Sequence, residues 1–286
     1  MYCTFDYLQP DSLHALYDAM DARGNLLRLY AGGTDLLVLL RARKISCTAL
    51  ADIKMIPDLH GICETENTIS IGAASTFSDI ADHPLIAKYA PALSAAAGKV
   101  GSTQIRFKGT LGGNIMNASP AGDGLCACYG LHASVELASR SGMRMIPITS
   151  FLLAPRKTAI APGEVLTRIH IPKNMFPLQE FFKVGRRNAL AISIVNGTVG
   201  LKISGGVIRQ ASIVLGAVAP TPVHIQAAEN CLTGQSLSIP LLQKIETLVQ
   251  EGICPISDIR ASAEYRSYIA GVMVRRQLEA LWKEVQ

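Results

Sequence analysis

Leu29-Tyr30-Ala31-Gly32-Gly33-Thr34-Asp35 (residues 29–35) carries a strand-like apolar run into a glycine pair, and Gly109-Thr110-Leu111-Gly112-Gly113-Asn114 (residues 109–114) carries a second pair. Glycine has no Cβ and takes positive φ without strain, so such a turn can aim several backbone N–H groups into one concavity and hold an anionic oxygen. A lone Gly-Gly also marks an ordinary tight turn. Two of them, each followed by a polar residue, point to phosphate. Neither fits G-x-G-x-x-G, and no G-x-x-x-x-G-K-[S/T] occurs, so the common dinucleotide and nucleoside-triphosphate cradles are absent.

The rest of the chain bounds what these turns can belong to. Its 286 residues are 49% hydrophobic and 17% charged, too apolar for a disordered chain and long enough for one large domain or two. The longest apolar stretches, Leu36-Leu37-Val38-Leu39-Leu40 and residues 211–220, fall short of the roughly 20 residues that cross a bilayer. Met1-Tyr2-Cys3-Thr4-Phe5-Asp6 lacks a basic region followed by an apolar one, so the expected location is cytoplasmic. The seven cysteines, at 3, 47, 63, 126, 128, 231 and 254, include no C-x-x-C pair, and reduced thiols are expected rather than a disulfide framework or a zinc site. The net charge is +5, but Lys and Arg are scattered, with clusters such as Arg41-Ala42-Arg43-Lys44 and Arg275-Arg276. No nucleic-acid module accompanies them, so nucleic acid is not expected as a partner.

Hydrophobic periodicity predicts an α+β chain. Strand-like runs are read at Leu26 to Tyr30, Thr48 to Ile53, Thr68 to Ala73 and Val165 to Ile171, and a hairpin is read over Val135 to Ser139 and Arg144 to Ile148. Thr76 with Asp79 has the spacing of a capping box, and Pro91 to Gln104 reads as a single helix. Pro172 and Pro177 bracket a connection between domains. Beyond it, Glu180 to Arg186, Ile192 to Ile203 and Val207 to Val218 suit an antiparallel meander, with helices at Pro222 to Leu232, Ile239 to Gln250 and Ser262 to Val285.

At the level of motifs, the chain resembles the FAD-binding medium subunit of the molybdenum hydroxylases, the xanthine dehydrogenase and carbon monoxide dehydrogenase family. The resemblance rests on residues 31–36, on 109–115 with Asn117-Ala118-Ser119-Pro120-Ala121-Gly122-Asp123, and on Pro162-Gly163-Glu164-Val165-Leu166. Phe182-Lys183 with Arg186-Arg187, Ala219-Pro220-Thr221-Pro222 and Ser262-Ala263-Glu264-Tyr265-Arg266 continue it, in order, over nearly the whole chain. It implies a two-lobed FAD-binding domain of the p-cresol methylhydroxylase and vanillyl-alcohol oxidase kind at 1–175, with lobes of about 1–55 and 56–175. A C-terminal domain at 176–286 would follow, with a three-stranded antiparallel sheet and a three-helix bundle.

Position by position, the resemblance implies that Leu29, Tyr30, Ala31, Gly32, Gly33, Thr34 and Asp35, with Thr110, Gly112, Gly113 and Asn114, hold the diphosphate and ribityl chain through backbone N–H groups and short side chains. Asp123 would hydrogen-bond the sugar-like chain, Leu166 would line the isoalloxazine, and Lys183 would lie beside the ring, where a cation favours the negative charge that reduction places near N1 and O2. No catalytic side chain is implied. A molybdenum-pterin large subunit and a small subunit with two [2Fe-2S] clusters are the implied partners, with NAD or another acceptor. The family's Asp-Ile-Ala element is here Ala191-Ile192-Ser193, which removes an acid from the acceptor side, and Cys126 with Cys128 read as small buried residues of a helix rather than ligands of an extra cluster.

No G-x-S-x-G or H-E-x-x-H occurs, and the six histidines are dispersed. Two other readings stay open at this level: a stand-alone flavin oxidase of the same fold, and a binding or assembly module that has lost flavin. Among substrates, a purine such as xanthine comes first by analogy, followed by nicotinate-like heterocycles, aldehydes and carbon monoxide.

Overall fold

The computed structural model describes residues 5–285; Cys3 lies outside them. The first lobe holds β1 (Asp6–Leu8), α1 (Leu13–Arg23), β2 (Leu27–Tyr30), α2 (Leu36–Arg41) and β3 (Ala49–Asp52). Its sheet is parallel in the order β1-β3-β2, with Tyr7 opposite Leu50 and Leu29 opposite Ala51. Central β3 is buried along its whole length, as a parallel strand covered by neighbours must be. Leu16 of α1 packs on Leu27, Ala49 and Ala51, and this places the end of β2 at the rim of the lobe.

The second lobe contains β4 (Ile62–Glu64), β5 (Thr68–Gly72), α3 (Phe77–Ala81), α4 (Pro84–Tyr89), α5 (Pro91–Gly98), α6 (Thr103–Arg106), α7 (Leu111–Asn117) and α8 (Asp123–Gly130). It continues with β6 (Ser134–Ser139), β7 (Gly142–Pro147), α9 (Ile148–Phe151), β8 (Leu152–Ala154), β9 (Lys157–Thr158) and β10 (Val165–Pro172). Its five-stranded antiparallel sheet runs β4-β5-β10-β6-β7. Ile69, Ile71, Val135, Leu137 and Ile169 face the helix side chains Leu93, Ala96, Leu111, Ile115 and Leu125. The Thr76–Asp79 capping box forms as expected. The single helix expected over residues 91–104 is instead α5 and α6, because Gly101 takes φ +47° between them and Ser102 starts a new helix by accepting from the Ile105 N–H.

Then come β11 (Leu178–Val184), β12 (Val195–Ser204), β13 (Val207–Gly216), β14 (Val223–His224), α10 (Gln226–Leu232), α11 (Ile239–Glu251) and α12 (Ala263–Glu284). The expected meander forms, and a two-residue edge strand, β14, extends it in the order β11-β12-β13-β14. Leu242, Ile245 and Val249 make one stripe of α11 and pack with Val274, Leu278 and Leu281 of α12 over Val199, Leu201, Ile213 and Leu215.

Candidate functional site

The first glycine turn leaves β2 and lies directly on the chain at Lys108 and Gly109. A Cβ on Gly32 would stand 2.0 Å from the Lys108 carbonyl oxygen and 2.9 Å from the Gly109 Cα, so the two glycine-bearing segments meet in space and only glycine fits at their contact. Gly33 takes φ +70°, and a Cβ there would reach 2.4 Å from the Tyr30 ring, which lies beneath the turn. Half-buried Leu29 and Ala31 pack into the first lobe's core, and the Thr34 hydroxyl approaches Gly109. Among the described residues, no acceptor meets the N–H of Gly32, Gly33, Thr34 or Asp35. Four successive amide donors without partners at a positive-φ bend form a concavity of positive potential suited to an anion.

The second pair is not a turn, and here the expectation needs correction. Thr110 is the N-cap of α7, and Gly112 and Gly113 lie in its first helical turn. The Gly113 N–H donates to Thr110 Oγ1 at 3.0 Å, Leu111 N–H to the Ser75 carbonyl at 3.1 Å, Gly112 N–H to the Ala73 carbonyl at 2.9 Å and Asn114 N–H to the Thr110 carbonyl at 3.0 Å. These amides already have acceptors within the fold, whereas those of the first turn have none among the described residues. Gly112 is small for packing, since a Cβ would lie 2.5 Å from the Ala73 oxygen, while exposed Gly113 presents bare backbone beside the first turn's segment. The Asn114 side-chain oxygen accepts from Leu125 N–H at 2.9 Å and so ties α7 to the start of α8.

At that start sits Asp123, 6% exposed. Lys183 Nζ donates to its Oδ2 at 2.5 Å, and Ser193 Oγ and Asn196 Nδ2 each donate to Oδ1 at 2.7 Å. Lys183 Nζ also donates to the Lys99 carbonyl at 2.9 Å. Three donors from across two lobes thus converge on one buried carboxylate and satisfy both of its oxygens. Leu166 is buried at a bulge of β10, and its side chain joins the central core; the carbonyl of neighbouring Thr167 accepts from Ala73 N–H at 2.9 Å, one residue's step from Gly112. Thus one group, residues 29–35 with the 108–114 segment, meets at the turn, and a second, Asp123 with Lys183, meets at the seam of the last two lobes. α7 and Asn114 join them.

The sequence reading missed several participants. Tyr7 donates to buried Asp52, and this hydrogen bond pushes its phenol up to about 12. Lys54 pairs with Asp52 at 3.3 Å and stands 4.6 Å from the centre of the Tyr30 ring, so these three side chains brace the ring under Gly33. Ser193 and Asn196 carry no local motif that would have marked them. The segment Ala191-Ile192-Ser193 holds no acid of its own, yet Ser193 brings it to the Asp123 carboxylate. A cavity of about 320 Å³ opens beside Lys183, walled by Lys99, Arg187, Leu190, Ile269 and Met273. Cys126 and Cys128 are fully buried in α8, and burial raises both thiols well above their ordinary range. Among the described residues no group of three His, Cys, Asp or Glu could hold a metal ion, and no helix is long and apolar enough to cross a membrane.

Residues 3–174 match the family described as the FAD binding domain in molybdopterin dehydrogenase, and residues 180–281 match the CO dehydrogenase flavoprotein C-terminal domain. The nicotinate dehydrogenase FAD-subunit of Eubacterium barkeri is 35% identical over 243 residues, covering 83% of this chain and 82% of that protein. The xanthine dehydrogenase FAD-binding subunit of Escherichia coli O157:H7 is 30% identical over 279 residues, 95% of each chain. In a solved carbon monoxide dehydrogenase from Hydrogenophaga pseudoflava, one chain superposes with a TM-score of 0.93 at 29% identity over 99% of both chains. With the glycine turn packed on residues 108–109 and the sheet-and-helix lobe behind it, these likenesses make the chain a member of the FAD-binding subunits of the molybdenum hydroxylases, an oxidoreductase flavoprotein.

Proposed function

We propose that this chain is the electron-transfer subunit of a xanthine or purine dehydrogenase-type molybdenum hydroxylase, set between a small subunit with two [2Fe-2S] clusters and an acceptor, NAD or another. A large molybdenum-pterin subunit would oxidise the substrate. Bound FAD supplies the exchange of single electrons for a pair. The chain's own residues bind and orient it: the amides of Gly32 to Asp35 take the doubly charged linkage, and Gly113 with Thr110 offers a wall without bulk. Asp123 and Lys183 set the charge at the far end, where an ammonium favours negative charge on a reduced ring. The observation that carries the reading is the run of four unpaired amides resting on Lys108 and Gly109. The purine class is drawn by family analogy; nicotinate, aldehyde and carbon monoxide are its competitors, the carbon monoxide class on a likeness of equal extent along both chains.

The test is to purify the chain and pass it through gel filtration. A flavin spectrum that is retained and bleached by dithionite is expected, and a colourless protein in excess FAD overturns the binding reading. Co-purification from the native source should bring the molybdenum and iron–sulfur subunits. A substrate screen then checks the rest: turnover of nicotinate without xanthine would replace the purine class.

A further inference from the structure

Asp35 poses a charge problem that the fold solves. It occupies the N-cap of α2, where an Asp carboxylate ordinarily accepts from an amide two or three residues on, yet it makes no such bond. Its Oδ1 instead accepts from Asn117 Nδ2 at 3.1 Å, from a residue 82 positions away at the end of α7. The orientation of the Asn117 amide is fixed from its other side, because Arg156 Nη1 donates to Asn117 Oδ1 at 3.4 Å. Arg156 sits at the tip of the β8–β9 hairpin with φ +60°, and its own N–H is anchored to the Ala118 carbonyl at 3.0 Å. A donor on one side of the amide and an acceptor on the other leave it one orientation.

A carboxylate loose in a turn of unpaired amides would either bond them itself or repel an approaching anion. We propose that Asn117, oriented by Arg156, is a positioning residue that holds the Asp35 carboxylate aside and keeps the amides of Gly32 to Asp35 open to a diphosphate. The inference rests on the FAD reading above and adds to it two side chains that need not touch the cofactor.

FAD affinity of the purified chain, followed by flavin fluorescence at low and high salt, tests it. N117A should bind FAD about tenfold more weakly than wild type, and R156M should shift affinity less and in the same direction. D35N alone should tighten binding, and D35N/N117A should return to within about twofold of D35N, because the charge that needed holding is gone. The N117A deficit should also shrink at about 1 M salt, where charges more than roughly 3 Å apart are screened. Melting temperatures confirm that the variants are folded. Normal binding by N117A, a deficit that persists in the D35N background, or one indifferent to salt each overturns the inference while the FAD reading stands. A wild-type chain that binds no FAD overturns both.

Discussion

Gly32 is held by a backbone oxygen, and backbone cannot swing aside as a side chain can. In Gly32→Ala the added methyl must displace the 108–109 segment, so FAD affinity should fall by tenfold or more and the melting temperature should drop, read by equilibrium dialysis and calorimetry. Asp123 and Lys183 respond differently because their interaction is electrostatic. Lys183→Met leaves the buried carboxylate without its cation and should cost about 3–5 kcal/mol in urea unfolding, while the D123N/K183M double variant should recover much of that loss. Equal destabilisation by the single and double changes would show that the ammonium is not balancing Asp123. The motif residues were legible in the sequence, but the partners of Asp123 were not, because Ser193 and Asn196 stand 70 and 73 positions away and have no local pattern.

Among the elements, the approach to α12 is organised by Asp258. Arg260 donates to its Oδ2 through Nη2 at 2.6 Å, and buried Arg266 donates to its Oδ1 at 2.8 Å while also binding the Ile194 and Ala217 carbonyls. The Arg260 hydrogen bonds, then the neighbouring guanidinium charges, hold the Asp258 carboxyl well below the usual carboxylate range. A carboxyl depressed in the folded chain contributes stability that is complete above its unfolded value of about 3.9 and is lost as pH falls below that. The urea midpoint should therefore decline as pH falls from about 4 towards about 2, and Asp258→Asn should flatten the decline; an unchanged slope would remove Asp258 as its cause. The second glycine pair teaches the complementary lesson at this scale. Thr110 caps a helix that glycine content argues against locally, and packing on Ala73 and Ser75 overrides the weak propensity.

Across the whole molecule, α8 is the seam. All eight of its residues are buried, the Gly130 carbonyl accepts from Ser212 Oγ at 2.9 Å, and the preceding Pro120 carbonyl accepts from Ala217 N–H at 2.7 Å. A Cβ on Gly130 would meet Thr198 at 2.7 Å. The second and third lobes should accordingly melt as one unit in calorimetry, and Gly130→Val should lower that single transition by a destabilisation of roughly 1–3 kcal/mol. Two separate transitions in the wild type would mean that the seam is not shared. Local chemistry in the sequence determined the α+β class, the family, the Thr76–Asp79 cap, the meander and the first turn's glycines, because periodicity, capping and positive φ act over a few residues. Only the tertiary structure decided which amides remain unpaired. A donor's partner can come from anywhere in the chain: the Ala73 carbonyl and Thr110 Oγ1 occupy those of the second glycine pair, no described residue occupies those of the first, and Asn117 reaches back to Asp35.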